Sequence, residues 1–293
     1  MNEILVEDLR FGKYHGLGND YIIINDIELE IPEEKKALLA KKLCEFHFSI
    51  GADGLIYVCN SDKADIRMRI FNDDGSEAEM CGNGIRCFCK YVYEKNIVRK
   101  LTINIETLKG IIIGDLRIKN DKVEAVRINM GAPNLKCEEI PVISTKNSDT
   151  CVDESIEVLD KKFRFTAVSM GNPHAVIFIE NQLNDKDLIK YGSAIEPNKR
   201  FPKKVNVEFI QMLSNHEANL RVYERGVGVT KSCGTGTCAA VVAGTLLNKF
   251  EENKPVIVHN DGGDLIITYT GEIVFMEGPV EKSFEGIIDF IKI

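Results

Sequence analysis

Two cysteines in this chain occupy equivalent positions of a repeated pattern. One opens the run Cys81-Gly82-Asn83-Gly84, and the other opens Cys233-Gly234-Thr235-Gly236. An arginine lies 12 positions before the cysteine in both copies (81−69 and 233−221). A Gly-Asn pair also precedes each cysteine, at intervals of 62 and 61 residues (81−19 and 233−172). The sequence therefore predicts an internal duplication with one thiol in each half.

Each cysteine stands where a helix is predicted to begin. Apolar residues recur at helical spacing from Ile85 onward, and residues 239–247 are apolar nearly all round. The unpaired N–H groups of a helix start carry partial positive charge, which favours a bound carboxylate and lowers the pKa of a thiol. Two such thiols on opposite sides of one carbon could move a proton from one face to the other. The alternative is that both cysteines are buried packing residues, but their matched register disfavours it.

Polar residues recur in the same register. Asn72 and Glu224 each lie nine positions before a cysteine (81−72 and 233−224). An arginine fork with amides binds a carboxylate, and a glutamate accepts an ammonium, so a second amino-acid head group is predicted near these residues. The set consists of Asn72, Asn172, Asn206, Glu224 and Arg225.

One histidine lies inside a repeated element. His174 begins an apolar strand directly after Gly171-Asn172. A lone histidine is commonly a surface residue or a satisfied core residue, but this position also suits acid–base chemistry, and both interpretations stay open.

Composition limits the class of protein. The chain has 293 residues, 44% of them hydrophobic, enough for two lobes with cores of their own. Its net charge of −8 argues against nucleic-acid binding. The nine cysteines are scattered, and the N-terminus lacks a signal-like apolar run. We expect a cytoplasmic protein with free thiols, no membrane span and no metal site, because no C-x2-C pair is present.

Strand-like runs dominate, and helices are few. We predict an α/β (α+β) fold of two pseudo-symmetric lobes, each a curled, mostly antiparallel sheet around a central helix. The first lobe is predicted to span 1–130, joined by a C-terminal strand at 281–293, and the second 131–280. The active site is expected in the cleft between them.

These motifs together resemble the diaminopimelate epimerase family, nearly from end to end. They are His15-Gly16-Leu17-Gly18-Asn19-Asp20, Arg69-Ile70-Phe71-Asn72, Met80-Cys81-Gly82-Asn83-Gly84, Met170-Gly171-Asn172-Pro173-His174, Arg200-Phe201-Pro202, Glu224-Arg225-Gly226-Val227-Gly228, Cys233-Gly234-Thr235-Gly236 and Gly278-Pro279.

The resemblance implies roles for particular residues. Cys81 and Cys233 are implied to be the acid–base pair, supported by His174 and Glu224. Backbone amides of four residues are implied to bind the reacting carboxylate: Gly82, Asn83, Gly234 and Thr235. The other implied substrate-binding residues are Asn19, Asn72, Asn172, Asn206, Glu224 and Arg225. The chain departs from the family pattern at Val229, where a Glu is usual, at Gly54, where some members carry Gln, and at Ser232, where Ala is common.

The interpretation that follows is a cofactor-independent epimerase, an isomerase that interconverts LL- and meso-2,6-diaminopimelate in lysine and peptidoglycan biosynthesis. No cofactor is expected, and the partner is a small amino-acid substrate, with a homodimer left open. The nearest alternative is a two-thiol racemase of another amino acid, such as proline or histidine. Two others are a non-catalytic amino-acid-binding protein and a thiol redox protein, which would be expected to carry a Cys-x-x-Cys pair.

Overall fold

Strands cover more of the chain than helices do. The structure, a computed structural model, describes residues 5–146 and 148–292. The helices are α1 (Asp26–Leu29), α2 (Glu33–Cys44), α3 (Gly82–Glu94), α4 (Asp185–Ile195) and α5 (Gly234–Leu246). The strands are β1 (Leu5–Gly16), β2 (Asn19–Asn25), β3 (Gly54–Cys59), β4 (Ile66–Asn72), β5 (Glu77–Ala78), β6 (Thr102–Thr107), β7 (Gly110–Lys119), β8 (Lys122–Gly131), β9 (Glu154–Val158), β10 (Lys161–Ser169), β11 (Pro173–Ile179), β12 (Asn206–Ser214), β13 (Glu217–Glu224), β14 (Gly228–Val229), β15 (Pro255–Asn260), β16 (Gly263–Tyr269), β17 (Val274–Pro279) and β18 (Glu281–Lys292). The predicted mixed class, mostly sheet with few helices, is confirmed.

The chain divides into two compact units. The first unit contains the chain up to Ile128 and the segment from Gly278 onward, and the second contains Asn129–Glu277. The C-terminal segment belongs to the first unit because β18 pairs antiparallel with β1. Among the described residues, no helix combines the length and the apolar character that a membrane span requires.

The two units repeat one order of strand pairing. In the first, β2 runs parallel to β3, β3 antiparallel to β4, and β4 parallel to β6. In the second, β11 runs parallel to β12, β12 antiparallel to β13, and β13 parallel to β15. Helix α3 follows β5 as α5 follows β14, so each thiol-bearing segment enters its helix at the same point of the pattern.

Helices α3 and α5 are buried along most of their length. Every residue of α5 from Gly236 to Gly244 is buried, as its nearly uniform apolar sequence predicts. Helix α3 is buried from Asn83 to Tyr93, including the charged side chain of Arg86, which is fully buried. A helix enclosed in this way can expose only its ends, so its chemistry is confined to the first turn.

Two features differ from the sequence-based expectations. Strand β1, with its interspersed charges, was not among the predicted strands. Cys137 and Cys151 form a disulfide with Cα atoms 5.6 Å apart, so the expectation that all thiols are free is wrong for this pair. The two residues lie 14 positions apart in sequence, and the β-bridge between Lys136 and Thr150 brings their segments together.

A buried ion pair anchors the second unit. Arg200 Nη2 donates to Glu154 Oε2 at 3.0 Å, and the hydroxyls of Ser144 and Thr145 donate to the same carboxylate at 2.8 and 2.7 Å. Burial acts to raise the pKa of Glu154, but the hydrogen bonds from Thr145, Ser144 and Arg200 outweigh it and lower the pKa to about 2.

This lowered pKa predicts a pH-dependent contribution to stability. The folded-state pKa lies below the ordinary 4.5, so the carboxylate stabilises the fold fully above about pH 4.5 and loses that contribution as the pH falls towards 2. The free-energy difference between wild type and Glu154→Gln should therefore shrink over this range. Urea unfolding of both proteins at several pH values measures it, and a pH-independent difference would contradict the assignment.

Candidate functional site

The first thiol lies at the start of α3 among neutral polar groups. Cys81 Sγ contacts the hydroxyl of Tyr21 at 3.0 Å, and that hydroxyl also donates to Asn19 Oδ1 at 2.7 Å. Burial, followed by the neighbouring Cys81 sulfur, raises the pKa of Tyr21 well above 10.0. Tyr21 therefore meets the thiol as a neutral hydroxyl.

Asn19 links the thiol to the rest of the first unit. Its Oδ1 also accepts a hydrogen bond from Asn83 Nδ2 at 3.2 Å, and its Nδ2 donates to Asp53 Oδ2 at 2.6 Å. The buried guanidinium of Arg86 donates to Asn83 Oδ1 at 2.9 Å. This chain of contacts fixes both amides, so Asn19 and Asn83 are positioned before any ligand arrives.

The second thiol lies at the start of α5 and is more deeply buried. Cys233 is 6% exposed, and its Sγ lies 3.5 Å from the hydroxyl of Thr235. Burial, then the negative charges of Glu224 and Glu208, raise the pKa of Cys233 well above 9.0, against smaller lowering effects of Thr235 and the Gly236 amide. The expectation of a pKa lowered by the helix start is therefore wrong for Cys233, because desolvation and two carboxylates outweigh the helix.

His174 is fully buried beside this thiol. Its Nδ1 lies 2.7 Å from Glu208 Oε1, and its Nε2 lies 3.0 Å from Asn172 Oδ1. The potential ligand atoms of His174, Glu208 and Cys233 all lie within 4.8 Å of one another. The 2.7 Å contact is a hydrogen bond, however, and is shorter than the spacing of two ligands that each lie about 2.0 Å from one tetrahedral zinc ion.

Residues predicted to bind a second amino-acid head lie at the ends of β12 and β13. Asn206 donates from Nδ2 to the Pro173 carbonyl and accepts from the Arg225 amide, both at 2.9 Å. Glu224 accepts a hydrogen bond from the Thr230 hydroxyl. Arg225 is exposed, with Nη1 3.2 Å from the Lys203 carbonyl. Its guanidinium is therefore accessible for a ligand.

In the first unit, Asn72 is exposed at the end of β4. Its Nδ2 donates to Ser76 Oγ at 2.9 Å, and it pairs across the strands with Gly54. A Cβ atom at Gly54 would lie 2.7 Å from the Phe71 carbonyl oxygen and 3.2 Å from the Tyr21 ring. The packing of this chain therefore excludes a glutamine side chain at Gly54.

The two repeated arginines serve the scaffold. Arg69 donates to Glu77 at 2.7 Å and to Glu33 at 2.6 Å. Arg221 donates to Asp261 at 3.0 Å and to Asp185 at 2.7 Å. Each arginine thus ties its strand to two other segments, which explains its matched spacing without a role at the thiol.

Sequence reasoning missed two side chains that lie next to the thiols, Tyr21 and Glu208. Tyr21 lies two residues after Asn19, as His174 lies two residues after Asn172. This matched spacing could have identified Tyr21 as the counterpart of His174. Glu208 has no such signal, because its place depends on the register between β11 and β12.

The sequence is similar to known epimerases along almost its whole length. The family model described as "Diaminopimelate epimerase" matches residues 11–136 and 166–283. Proteins named diaminopimelate epimerase from Bacillus cytotoxicus and Bacillus mycoides are each 47% identical over 281 residues, which is 96% of this chain and 97% of theirs.

Solved structures share the fold at low sequence identity. A hydroxyproline epimerase from Agrobacterium vitis matches with a TM-score of 0.68 at 14% identity, over 97% of this chain and 92% of that one. A PhzF-family phenazine biosynthesis protein from Bacillus anthracis matches with a TM-score of 0.67 at 18% identity, over 98% and 99% of the two chains. At these identities the likeness concerns the fold alone.

The two thiols should differ in reactivity without substrate. Cys81 is half-buried, whereas Cys233 is buried and its pKa is raised, so iodoacetamide should alkylate Cys81 faster at neutral pH. Peptide mapping after limited alkylation measures both rates in one sample. Faster modification of Cys233 would contradict the burial and the raised pKa of this thiol.

Proposed function

The chain belongs to the diaminopimelate epimerase family, and we propose that it interconverts LL- and meso-2,6-diaminopimelate by proton transfer through Cys81 and Cys233. The reaction makes it an isomerase, with a place in lysine and peptidoglycan biosynthesis. The observation that carries the proposal is the duplicated thiol at the first turn of a buried helix, in a chain 47% identical to named epimerases.

In the proposed reaction, one cysteine acts as a thiolate and the other as a thiol. The thiolate takes the α-proton, so the C–H bond breaks and an S–H bond forms. The thiol then gives its own proton to the opposite face of the α-carbon and is left as the thiolate. The configuration is inverted, and no electrons are gained or lost. The reverse reaction exchanges the two roles.

The α-proton is a weak acid, so the negative charge that develops on the substrate must be stabilised. We assign this role to the backbone N–H groups of Gly82, Asn83, Gly234 and Thr235, which lie in the first turns of α3 and α5. Amides at a helix start bind a carboxylate and favour additional negative charge on it.

The distal amino-acid head is the basis of the proposed substrate choice. We propose that the Arg225 guanidinium binds its carboxylate and that the amide side chains of Asn72 and Asn206 contribute hydrogen bonds. Asn19 and Asn172 complete the proposed binding set. Glu224 is assigned to the substrate ammonium, and His174 and Glu224 to the support of the cysteines.

We also propose a cytoplasmic location, because the substrate is an intermediate of amino-acid biosynthesis. We also propose that the protein forms a homodimer, and sedimentation velocity measures its oligomeric state in solution.

The experiment that tests the function is α-proton exchange in deuterated water. The protein should incorporate deuterium into LL- and meso-diaminopimelate and leave proline and histidine unlabelled. Exchange on proline or histidine alone would identify a different racemase. Binding of diaminopimelate without any exchange would identify a non-catalytic binding protein.

Removing either thiol should abolish epimerisation. In Cys81→Ala and Cys233→Ala one face of the α-carbon lacks a proton donor and acceptor, so kcat should fall by at least about 10²–10⁴-fold, the contribution typical of a positioned acid or base. The measurement is the rate of LL-to-meso conversion. Cys44→Ala, a buried cysteine of the first unit, is the matched control and should retain turnover. Near-normal turnover by either thiol variant would contradict the two-base mechanism.

Removing the Arg225 guanidinium should weaken binding of diaminopimelate. A charge-assisted contact of this kind contributes about 2–4 kcal/mol, so Arg225→Ala should raise KM by about 30- to 1,000-fold. Lys203→Ala is the matched control, because it removes a neighbouring positive charge and keeps the backbone carbonyl that Arg225 contacts. An unchanged KM in Arg225→Ala would exclude the assigned distal contact.

A further inference from the structure

Glu208 is a buried carboxylate that the proposed reaction does not yet use. It is fully buried on β12, and its Oε1 lies 2.7 Å from His174 Nδ1. Strand β12 runs parallel to β11, with His174 opposite Asn206 and Val176 opposite Glu208. Among the described residues, none donates a hydrogen bond to the second oxygen, Oε2. A carboxylate in this position is costly to bury, so its retention next to a thiol requires an explanation.

The helix that carries the second thiol is shaped around this carboxylate. A Cβ atom at Gly236 would lie 2.6 Å from Glu208 Oε1 and 3.2 Å from its Cδ. Gly236 is the last glycine of the run that begins at Cys233, so the first turn of α5 approaches Glu208 more closely than any other residue type would allow. Gly236 therefore makes room for Glu208 beside the first turn of α5.

The His174 ring is held between two oxygen atoms. Glu208 Oε1 faces Nδ1, and Asn172 Oδ1 faces Nε2 at 3.0 Å. This arrangement is satisfied when both ring nitrogens carry protons beside an ionised Glu208, or when the proton of Nδ1 has moved to Glu208. Both forms hold one proton more than a neutral histidine beside a carboxylate, so they correspond to the His174–Glu208 pair after it has accepted a proton.

The first unit has no acid–base pair at the corresponding positions. Tyr21 pairs with Gly54 in β2 and β3 as His174 pairs with Asn206 in β11 and β12, so Ile56 corresponds to Glu208. A Cβ atom at Gly84 would meet Ile56 Cδ1 at 3.3 Å and Ile70 Cδ1 at 3.1 Å. The same space under the helix is therefore apolar beside Cys81 and ionisable beside Cys233.

Cys233 depends on a neighbouring proton acceptor more than an exposed thiol would. Its burial and the charges of Glu224 and Glu208 raise the pKa of the thiol, so loss of its proton to solvent is unfavourable at neutral pH. A proton passed to an adjacent group keeps the total charge of the buried cluster constant and avoids that cost.

Resting on the proposed function, we propose that Glu208 is a positioning residue of the second thiol. It acts through His174, and the pair accepts the proton that Cys233 must lose before it can serve as a base. In this step His174 starts as a neutral ring that donates from Nδ1 to the ionised Glu208. The S–H bond of Cys233 breaks, an N–H bond forms at the unprotonated Nε2, and Glu208 stabilises the resulting imidazolium. The proton returns by the reverse step, so no further reactant is needed.

The test replaces Glu208 with glutamine, which has nearly the same size and no charge. The new amide can donate to His174 Nδ1, which leaves the ring neutral with both nitrogens occupied. We expect kcat for diaminopimelate to fall by about 10- to 100-fold with little change in KM, because only the acid–base step is affected. Alkylation of Cys233 by iodoacetamide should slow by a similar factor, while alkylation of Cys81 in the same molecules stays constant.

Cys81 is an internal control for folding, and Glu154→Gln is a matched control for the loss of a buried carboxylate. Glu154 lies in the same unit and is fully buried, but its partners are Ser144, Thr145 and Arg200. Its variant should keep the wild-type alkylation rate of Cys233 and the wild-type kcat of folded protein.

Three results would overturn the proposal. If Glu208 acted only as a negative charge close to the sulfur, its removal would make Cys233 react faster. If Glu208 did not act through His174, the double variant Glu208→Gln/His174→Gln would have a lower kcat than His174→Gln alone. The decrease would equal the one that Glu208→Gln causes in the wild-type protein. The alkylation rates require no substrate, so they decide the role of Glu208 even if diaminopimelate is not turned over. If Glu208→Gln kept the wild-type kcat and the wild-type alkylation rate of Cys233, the proposed role of Glu208 would be rejected and the proposed function would be unaffected.

Discussion

Both thiols stand at the first turn of a helix whose remaining turns are buried, and much of each unit follows from covering that helix. Because α3 and α5 are enclosed along their length, only their starts can meet a ligand. The unpaired amides there favour an anion. The surrounding strands then fix what else lies beside the sulfur. The start of β2 supplies Asn19 and Tyr21, and the start of β11 with the preceding turn supplies Asn172 and His174.

Duplication has kept the scaffold and changed the chemistry. The order of parallel and antiparallel pairings is the same in both units, and an arginine bridged by two carboxylates recurs at the same distance from each thiol. The side chains next to the sulfur differ, with a neutral hydroxyl by Cys81 and a buried histidine–glutamate pair by Cys233. A reaction that inverts one carbon needs two opposed groups, but it does not need them to be chemically identical.

Features that depend on residues close together in the chain could be predicted from the sequence, whereas features that depend on burial in the fold could not. Repeated spacing located both thiols, and the apolar pattern located α3 and α5, because each depends on residues close together in the chain. Glu208 could not be found in this way. It lies 34 residues after His174 in the sequence, and the two side chains meet only because of the register between β11 and β12. The raised pKa of Cys233 was also missed. A helix start alone predicts the opposite direction. Burial of the thiol, and then the charges of Glu224 on β13 and Glu208 on β12, raise the pKa instead. The pairing of Cys137 with Cys151 likewise depends on a β-bridge in a segment without a clear strand pattern.

A shared fold does not decide the substrate, because proteins with this architecture and little common sequence carry different names and chemistries. Substrate choice must then lie in residues that the scaffold holds near the reacting centre. In the second unit, strand β13 connects the scaffold to two of the residues proposed to act on the thiol and the substrate. Its Arg221 is fixed by Asp185 and Asp261, and the strand ends at Glu224, followed directly by Arg225. Glu224 also contributes to the electrostatic surroundings of Cys233. One anchored strand thus places Glu224, whose charge acts on the thiol, next to the exposed guanidinium of Arg225, which we propose binds the distal head of the substrate. On that proposal, the same backbone contacts position a residue for reactivity and a residue for recognition.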